Sequence, residues 1–268
     1  MPNQPRIISV ANQKGGVGKT TTTINLGAAL AAAGFKVLLI DLDPQGNAST
    51  GLGVDQKDRS QSTYDLLLSD AKTSDVARKT SVPNLWISPA TTDLSSADVE
   101  LVSASRRVFL LKDALRSTDT ASLAFDYILI DCPPSLNLLT LNAMVASDSV
   151  LVPLQAEFFA LEGLSQLMLS VREIRETANP GLRLEGIVLT MFDKRNNLCQ
   201  QVEMDARENL QALVFTTMIP RNVRLSEAPS YGMPVINYDP VSRGSVAYKA
   251  LAREMVERHE KVEERVNG

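Results

Sequence analysis

The stretch Asn12-Gln13-Lys14-Gly15-Gly16-Val17-Gly18-Lys19-Thr20 decides the fold. The apolar run Ile7-Ile8-Ser9-Val10 precedes it, and a helix-forming run from Thr21 to Ala33 follows. A glycine loop between a strand and a helix is the setting a phosphate-binding loop requires. Glycines at 15, 16 and 18 let the backbone take dihedrals closed to other residues, so successive N–H groups can turn inward around a phosphate. The helix that starts there adds free N–H groups and the positive end of its dipole. Lys19 supplies a point charge for the β- and γ-phosphates, and the Thr20 hydroxyl is placed to ligate Mg²⁺. Gly15, Gly16, Val17, Gly18, Lys19, Thr20 and Thr21 are therefore candidate ATP contacts.

The loop departs from the general P-loop pattern at one end. The place five residues before Gly18 is Gln13 rather than glycine, and an additional lysine, Lys14, follows it. Two lysines in one phosphate loop repel each other unless they meet more negative charge than one subunit's contacts neutralise. Here the sequence resembles the deviant Walker A class, the ParA/MinD ATPases, with their Lys-Gly-Gly-x-Gly-Lys-Thr signature. That resemblance implies an ATP-dependent homodimer in which Lys14 acts on the nucleotide of the partner subunit.

Composition bounds the rest. A chain of 268 residues, 44% hydrophobic, buries a sizeable core, and one α/β domain spanning 1–268 is expected. Cys132 and Cys199 stand far apart without metal-ligand spacing, which points to a reducing compartment. No run of about 18 apolar residues occurs and the first residues lack a signal core, so a cytoplasmic protein without membrane attachment is expected. A net charge of −4 argues against a generally cationic nucleic-acid coat protein but leaves room for a local basic patch.

Strand and helix alternate along the chain, predicting a doubly wound, mostly parallel sheet flanked by helices. Val37-Leu38-Leu39-Ile40 reads as a buried parallel strand ending in Asp41-Leu42-Asp43-Pro44. Carboxylates at a strand's carboxyl end beside a P-loop sit where water and Mg²⁺ are handled in open α/β sheets. The two aspartates are expected to differ in role: Asp43 orients the attacking water, and Asp41 serves the Mg²⁺ shell or the loop geometry. Tyr127-Ile128-Leu129-Ile130-Asp131 is a second such strand in Walker B arrangement, with Asp131 on Mg²⁺ through a water. The family resemblance extends to both segments, as switch I and switch II.

Further strands are expected at 85–89, 149–153, 186–190 and 214–218, about seven in all, with helices over 95–116, 162–179, 198–213 and from Gly244 onward. Residues 48–84 carry little pattern beyond a short helix at Tyr64–Leu68. Past the strand expected at 214–218, Pro220 and Asn222 are implied by resemblance to face the adenine base, where an amide can read donor and acceptor edges.

Between Phe215 and Lys249, Arg221, Arg224, Arg243 and Lys249 outnumber Glu227 and Asp239, and Lys194-Arg195 adds charge nearby. Arginine forks suit phosphate oxygens, and a dimer doubles such a patch, making DNA binding depend on ATP. Resemblance to the chromosomal Soj/ParA proteins, carried from Ile7 to about Ala252 and including 157–165, favours Arg195 and Arg224 as the DNA contacts. It implies a slow ATPase, stimulated by a ParB-type centromere-binding protein, that releases nonspecific double-stranded DNA on hydrolysis and is nucleoid-associated. The first strand begins near residue 7, so the N-terminal helix-turn-helix of longer plasmid homologues is not expected. The alternative is a MinD-like or cargo-positioning ATPase acting on membrane or protein complexes, yet Tyr248–Val266 lacks bulky apolar residues on one face.

Overall fold

The computed structural model describes residues 4–104, 106–157 and 160–267. Phe158 and Phe159, within the family-like stretch 157–165, lie outside the described residues. The chain opens with β1 (Arg6–Val10), the glycine loop and α1 (Lys19–Ala32), then β2 (Val37–Asp41). Short elements follow: α2 (Asn47–Gly51), α3 (Thr63–Leu68), α4 (Thr73–Val76), β3 (Arg78–Lys79) and β4 (Leu85–Ser88). Next come α5 (Leu94–Ser103), α6 (Leu110–Leu115), α7 (Thr118–Ser122) and β5 (Tyr127–Asp131). After α8 (Leu138–Ala146), β6 (Ser149–Gln155), α9 (Ala160–Thr177), β7 (Arg183–Thr190) and α10 (Asn197–Leu210), the chain ends in α11 (Val223–Glu227), α12 (Val235–Tyr238) and α13 (Arg243–Asn267).

The sheet has the order β3-β4-β2-β5-β1-β6-β7, parallel except for the short edge strand β3. The order reverses about β1, which lies between β5 and β6, and such a switch point opens a crevice at the carboxyl ends. In register, Val10 stands beside Asp131 and Asp131 beside Asp41, so the loops after β1, β5 and β2 share one edge. Side chains alternate between two cores. Leu38, Ile40, Ile128 and Ile130 point to the face covered by α5, α6, α8 and α9. Leu39, Leu129 and Ile8 point to the face covered by α1 and α13. A Cβ at Gly27 would lie 2.7 Å from Leu39, so the small residues of α1 do bring it close onto β2. The apolar face of α13, Tyr248, Leu251 and Met255, is buried against that layer rather than presented to lipid. Among the described residues no helix is long and apolar enough to cross a membrane.

Two expectations are corrected. The stretch 214–218 is no strand: Val214 makes an isolated bridge to Ile187, and the N–H groups of Thr216 and Thr217 both go to the Glu254 carboxylate at 2.8 Å. A helix carboxylate has taken the donors a ladder needs. The seventh strand is instead β3, which two residues of antiparallel pairing make and no periodicity announces. The helix expected over 95–116 is broken between α5 and α6, with Ala104 extended and Arg106 at φ 61. Arg106 then pairs with Asp113 at 3.0 Å on the surface.

Candidate active site

At the carboxyl edge, Gly16 (φ 76) and Gly18 (φ 89) take backbone conformations that other residues enter only with strain. No heavy atom lies within 4 Å of a Cβ built on Gly15 or Gly16, so the loop is concave and open. Gly18 caps α1 without a side-chain bond, and no acidic residue occupies the first turn, leaving the helix N–H groups for an anion. Asn12 braces the loop from beneath, donating to Pro153 O at 2.8 Å and accepting from Lys14 N at 3.0 Å. Thr190, at the end of β7, donates to Val17 O at 2.8 Å.

Lys19 is buried, and its Nζ donates to Lys14 O at 3.1 Å. Burial pulls its pKa down, against the charges of Asp131, Cys132 and Asp43. Lys14 lies outside, its ammonium ion-paired with Glu157 of the same chain. The structure thus separates the two lysines: one faces the loop interior, the other the rim.

Asp131 is fully buried, and burial first, then the neighbouring Asp41, push its carboxyl well above the usual carboxylate range. Its Oδ1 accepts from Thr23 at 3.2 Å and the Thr20 hydroxyl bears on it, while Oδ2 is buried with no hydrogen-bond partner. A buried carboxylate oxygen without a donor is costly, and a divalent cation beside the Thr20 hydroxyl satisfies it, so the residues present fit Mg²⁺. Among the described residues no cluster of three or more His, Cys, Asp or Glu could hold a metal ion by itself. Cys132 is a buried free thiol whose pKa is raised by burial and by Asp131.

Asp41 and Asp43 are held by different partners. Asp41 Oδ2 accepts from Ser49 N at 2.8 Å and Ser49 Oγ at 2.6 Å, while its Oδ1 accepts from Asp43 N at 3.4 Å. Those contacts are loop geometry. The Asp43 carboxylate accepts from Gln45 N at 3.0 Å, and its charge bears on Lys19. Burial also raises Asp41, despite the Ser49 bonds.

Pro220 and Asn222 meet Gly18 and Thr21 around one cavity of about 230 Å³, which Thr190, Met191 and Tyr248 also line. Asn222 uses its Oδ1 to cap α11, accepting from Arg224 N at 2.9 Å. Met191 sits at φ 51, a strained conformation for a non-glycine residue at the mouth of a site. Thr190, Met191 and Tyr248 were not legible in the sequence, since the patterns of β7 and α13 report only burial and Met191 lies in the bend just past β7.

The two DNA candidates are apart. Arg195 forks onto Asp193 at 2.9 and 3.1 Å, which pulls that carboxyl down to about 2. With Lys194, Arg221 and Arg243 it lines an open groove of about 1000 Å³. Arg224 does not line that groove; its guanidinium pairs with Glu227 at 2.7 Å and Asp239 at 3.3 Å.

Residues 5–184 match the family model described as an AAA domain. The chain is 54% identical to the chromosome partitioning protein ParA of Caulobacter vibrioides over 96% of both chains. It is 52% identical to the sporulation initiation inhibitor protein Soj of Bacillus subtilis, over 93% of this chain and 98% of that one. Among solved structures, cobyrinic acid a,c-diamide synthase from Mycobacterium smegmatis with bound ADP and magnesium superimposes with a TM-score of 0.81 at 36% identity, covering 96% of each chain. The cell division ATPase MinD of Pyrococcus furiosus gives 0.77 at 30%, over 95% of this chain and 99% of that chain. On the P-loop geometry and on these identities, the chain belongs to the ParA/Soj family of chromosome-partitioning ATPases.

Proposed function

We propose that the protein is a nucleotide-gated DNA clamp for chromosome or plasmid partition, working in the cytoplasm on the nucleoid. ATP closes two copies face to face, and Lys14 of each leaves Glu157 for the phosphates of the other. The closed dimer holds nonspecific double-stranded DNA. A ParB-type partner then stimulates hydrolysis and releases it.

The observation that carries this reading is one edge of one sheet. The free start of α1, the buried Lys19, the unpartnered Asp131 Oδ2, the hydroxyl of Thr20 and the carboxylate of Asp43 converge there, with the base cavity opening beside Gly18. The N–H groups of residues 15–20 cradle phosphate, and Lys19 offsets charge building on the β- and γ-oxygens. Thr20 and Asp131 would hold Mg²⁺, which would supply positive charge against the negative charge developing in phosphoryl transfer. Asp41 holds the loop in place, and Asp43 orients the attacking water and accepts its proton. Turnover is slow in the isolated chain, because the switch loops around the anchored Asp43 reach their working arrangement only on partner contact.

For DNA, Arg195 and Arg224 lead from resemblance, joined by Arg221 and Arg243 because these share Arg195's groove. The test is binding to random-sequence duplex with ATP, ADP or no nucleotide at one salt concentration. Binding with ATP alone is expected, lost in Lys14→Ala and in Arg195→Ala/Arg224→Ala. Equal binding under ATP and ADP, or none under any nucleotide with dimerisation intact, overturns the clamp.

A further inference from the structure

Arg59 lies in the stretch 48–84 that the sequence left without a role, and it is a buried cation that makes no ion pair among the described residues. Its guanidinium is spent on neutral acceptors. Nε and Nη2 donate to Val54 O at 3.1 and 2.8 Å, Nη2 also to Thr50 Oγ1 at 2.8 Å, and Nη1 to Ala90 O at 2.9 Å. Three chain segments meet on this one planar fork: α2, the turn after it and the carboxyl end of β4. The N-cap of α2 presses on it too, because a Cβ at Gly46 would come within 2.2 Å of Nη1. Burying a charge without an opposite partner is expensive, so a fork that bridges three segments must return more than lysine or leucine could.

Those segments all belong to the support of Asp43. Gly46 N donates to Asp43 O at 2.9 Å, and Gly46, at φ 63, starts α2. Thr50 Oγ1 donates to Gly46 O at 3.1 Å while accepting from Arg59 Nη2 at 2.8 Å. Ser49 carries the same load on the other side, linking Asp41 to Ala90 N at 3.0 Å. Asp43 therefore hangs on a short turn whose far end is clamped to β4 by Arg59.

We infer that Arg59 is a positioning residue for ATP hydrolysis, fixing the turn 43–46 against the end of β4 so that Asp43 keeps its place over the phosphates. The inference rests on the water-orienting reading of Asp43. Misplacing a reacting group by about 1 Å costs on the order of a hundredfold in rate, so loss of the clamp acts on kcat while the phosphate loop, built from other elements, keeps KM.

The experiment compares Arg59→Met, Thr50→Val, Asp43→Asn and the double variant Arg59→Met/Asp43→Asn for steady-state ATPase and for binding of a fluorescent ATP analogue. Arg59→Met is expected to lower kcat about tenfold or more with KM within about threefold. Thr50→Val, which removes one acceptor and leaves the fold's core untouched, is expected to lower kcat in the same direction by less. The double variant is expected to be no slower than Asp43→Asn, since Arg59 acts through Asp43. Full kcat in Arg59→Met and Thr50→Val, with Asp43→Asn inactive, overturns the role of Arg59 alone. So do equal losses in kcat and nucleotide affinity, which mark a general structural defect, and additive losses in the double variant. Normal turnover by Asp43→Asn overturns the reading of Asp43 and this inference with it.

Discussion

The ammonium of Lys14 is ion-paired with the carboxylate of Glu157 in the same chain, so the lysine assigned to a partner's nucleotide is held at home. Both side chains are more than 40% exposed, and such pairs contribute about 0–1 kcal/mol. A grip that weak yields to phosphate charge. Glu157→Gln is therefore expected to lower the ATP concentration at half-maximal dimerisation by about two- to fivefold, an amount set by the pair's strength. Sedimentation against ATP concentration reads it. A rightward shift, or dimerisation unaltered in Lys14→Ala, removes the trans role of Lys14.

The base cavity predicts a split in kinetics. Thr21, Pro220 and Asn222 line the cavity that the proposed function gives to the base, remote from the reacting phosphates, and contacts to such a part are made equally in ground and transition states. Asn222→Ala is expected to raise KM for ATP about tenfold with kcat within about twofold, while Lys19→Ala abolishes nucleotide binding. Equilibrium binding and initial rates check both.

The surface arginines differ in their claim on DNA. Arg224 is engaged by Glu227 and Asp239, whereas Arg221 and Arg243 line the groove with Arg195. Replacing a residue that contacts phosphate lowers the slope of log K against log salt by about 1. Arg221→Ala and Arg243→Ala are each expected to do so, and Arg224→Ala to do less. A full unit lost in Arg224→Ala and none in the other two would return the contact to Arg224.

Acid stability depends on the far end of the sheet. Burial alone would raise the Glu185 carboxyl, but the hydrogen bond and charge of His259, at 2.7 Å, with the Ser149 hydroxyl and Arg6, bring it below its ordinary value of 4.5. A carboxyl depressed in the folded state contributes stability that is present above its unfolded pKa and is lost as pH falls through the folded one. Thermal denaturation between about pH 6 and pH 3 is expected to show a declining limb that Glu185→Gln flattens while lowering stability at pH 7. An unchanged limb in Glu185→Gln would count against this assignment.

Gly232, at φ 64, faces Gly53 so closely that a Cβ would lie 2.8 Å from the Gly53 Cα. Backbone cannot swing aside as a side chain can. Gly232→Ala is expected to cost about 2–4 kcal/mol, the sum of a left-handed conformation and overpacking, read from chemical denaturation; a loss under 1 kcal/mol would mean that the loop yields.

What the sequence determined by itself was local. The P-loop, the buried strands β1, β2 and β5 and the aspartates at their ends are written in adjacent residues, because glycine's dihedral freedom and an unbroken apolar run need no distant partner. Lys14, Lys19, Thr20, Asp43 and Asp131 followed from those runs. Tertiary structure decided the rest. The segment 214–218 has strand-like residues yet no ladder, because Glu254, 38 positions on, takes its donors. Helix 95–116 breaks where Arg106 turns to positive φ. The order of strands about β1, the sharing of a groove by Arg195, Arg221 and Arg243, and the clamp of Arg59 on Gly46 and Ala90 depend on contacts between residues tens of positions apart. No local pattern can carry them, since each is a property of two segments and is absent from either one.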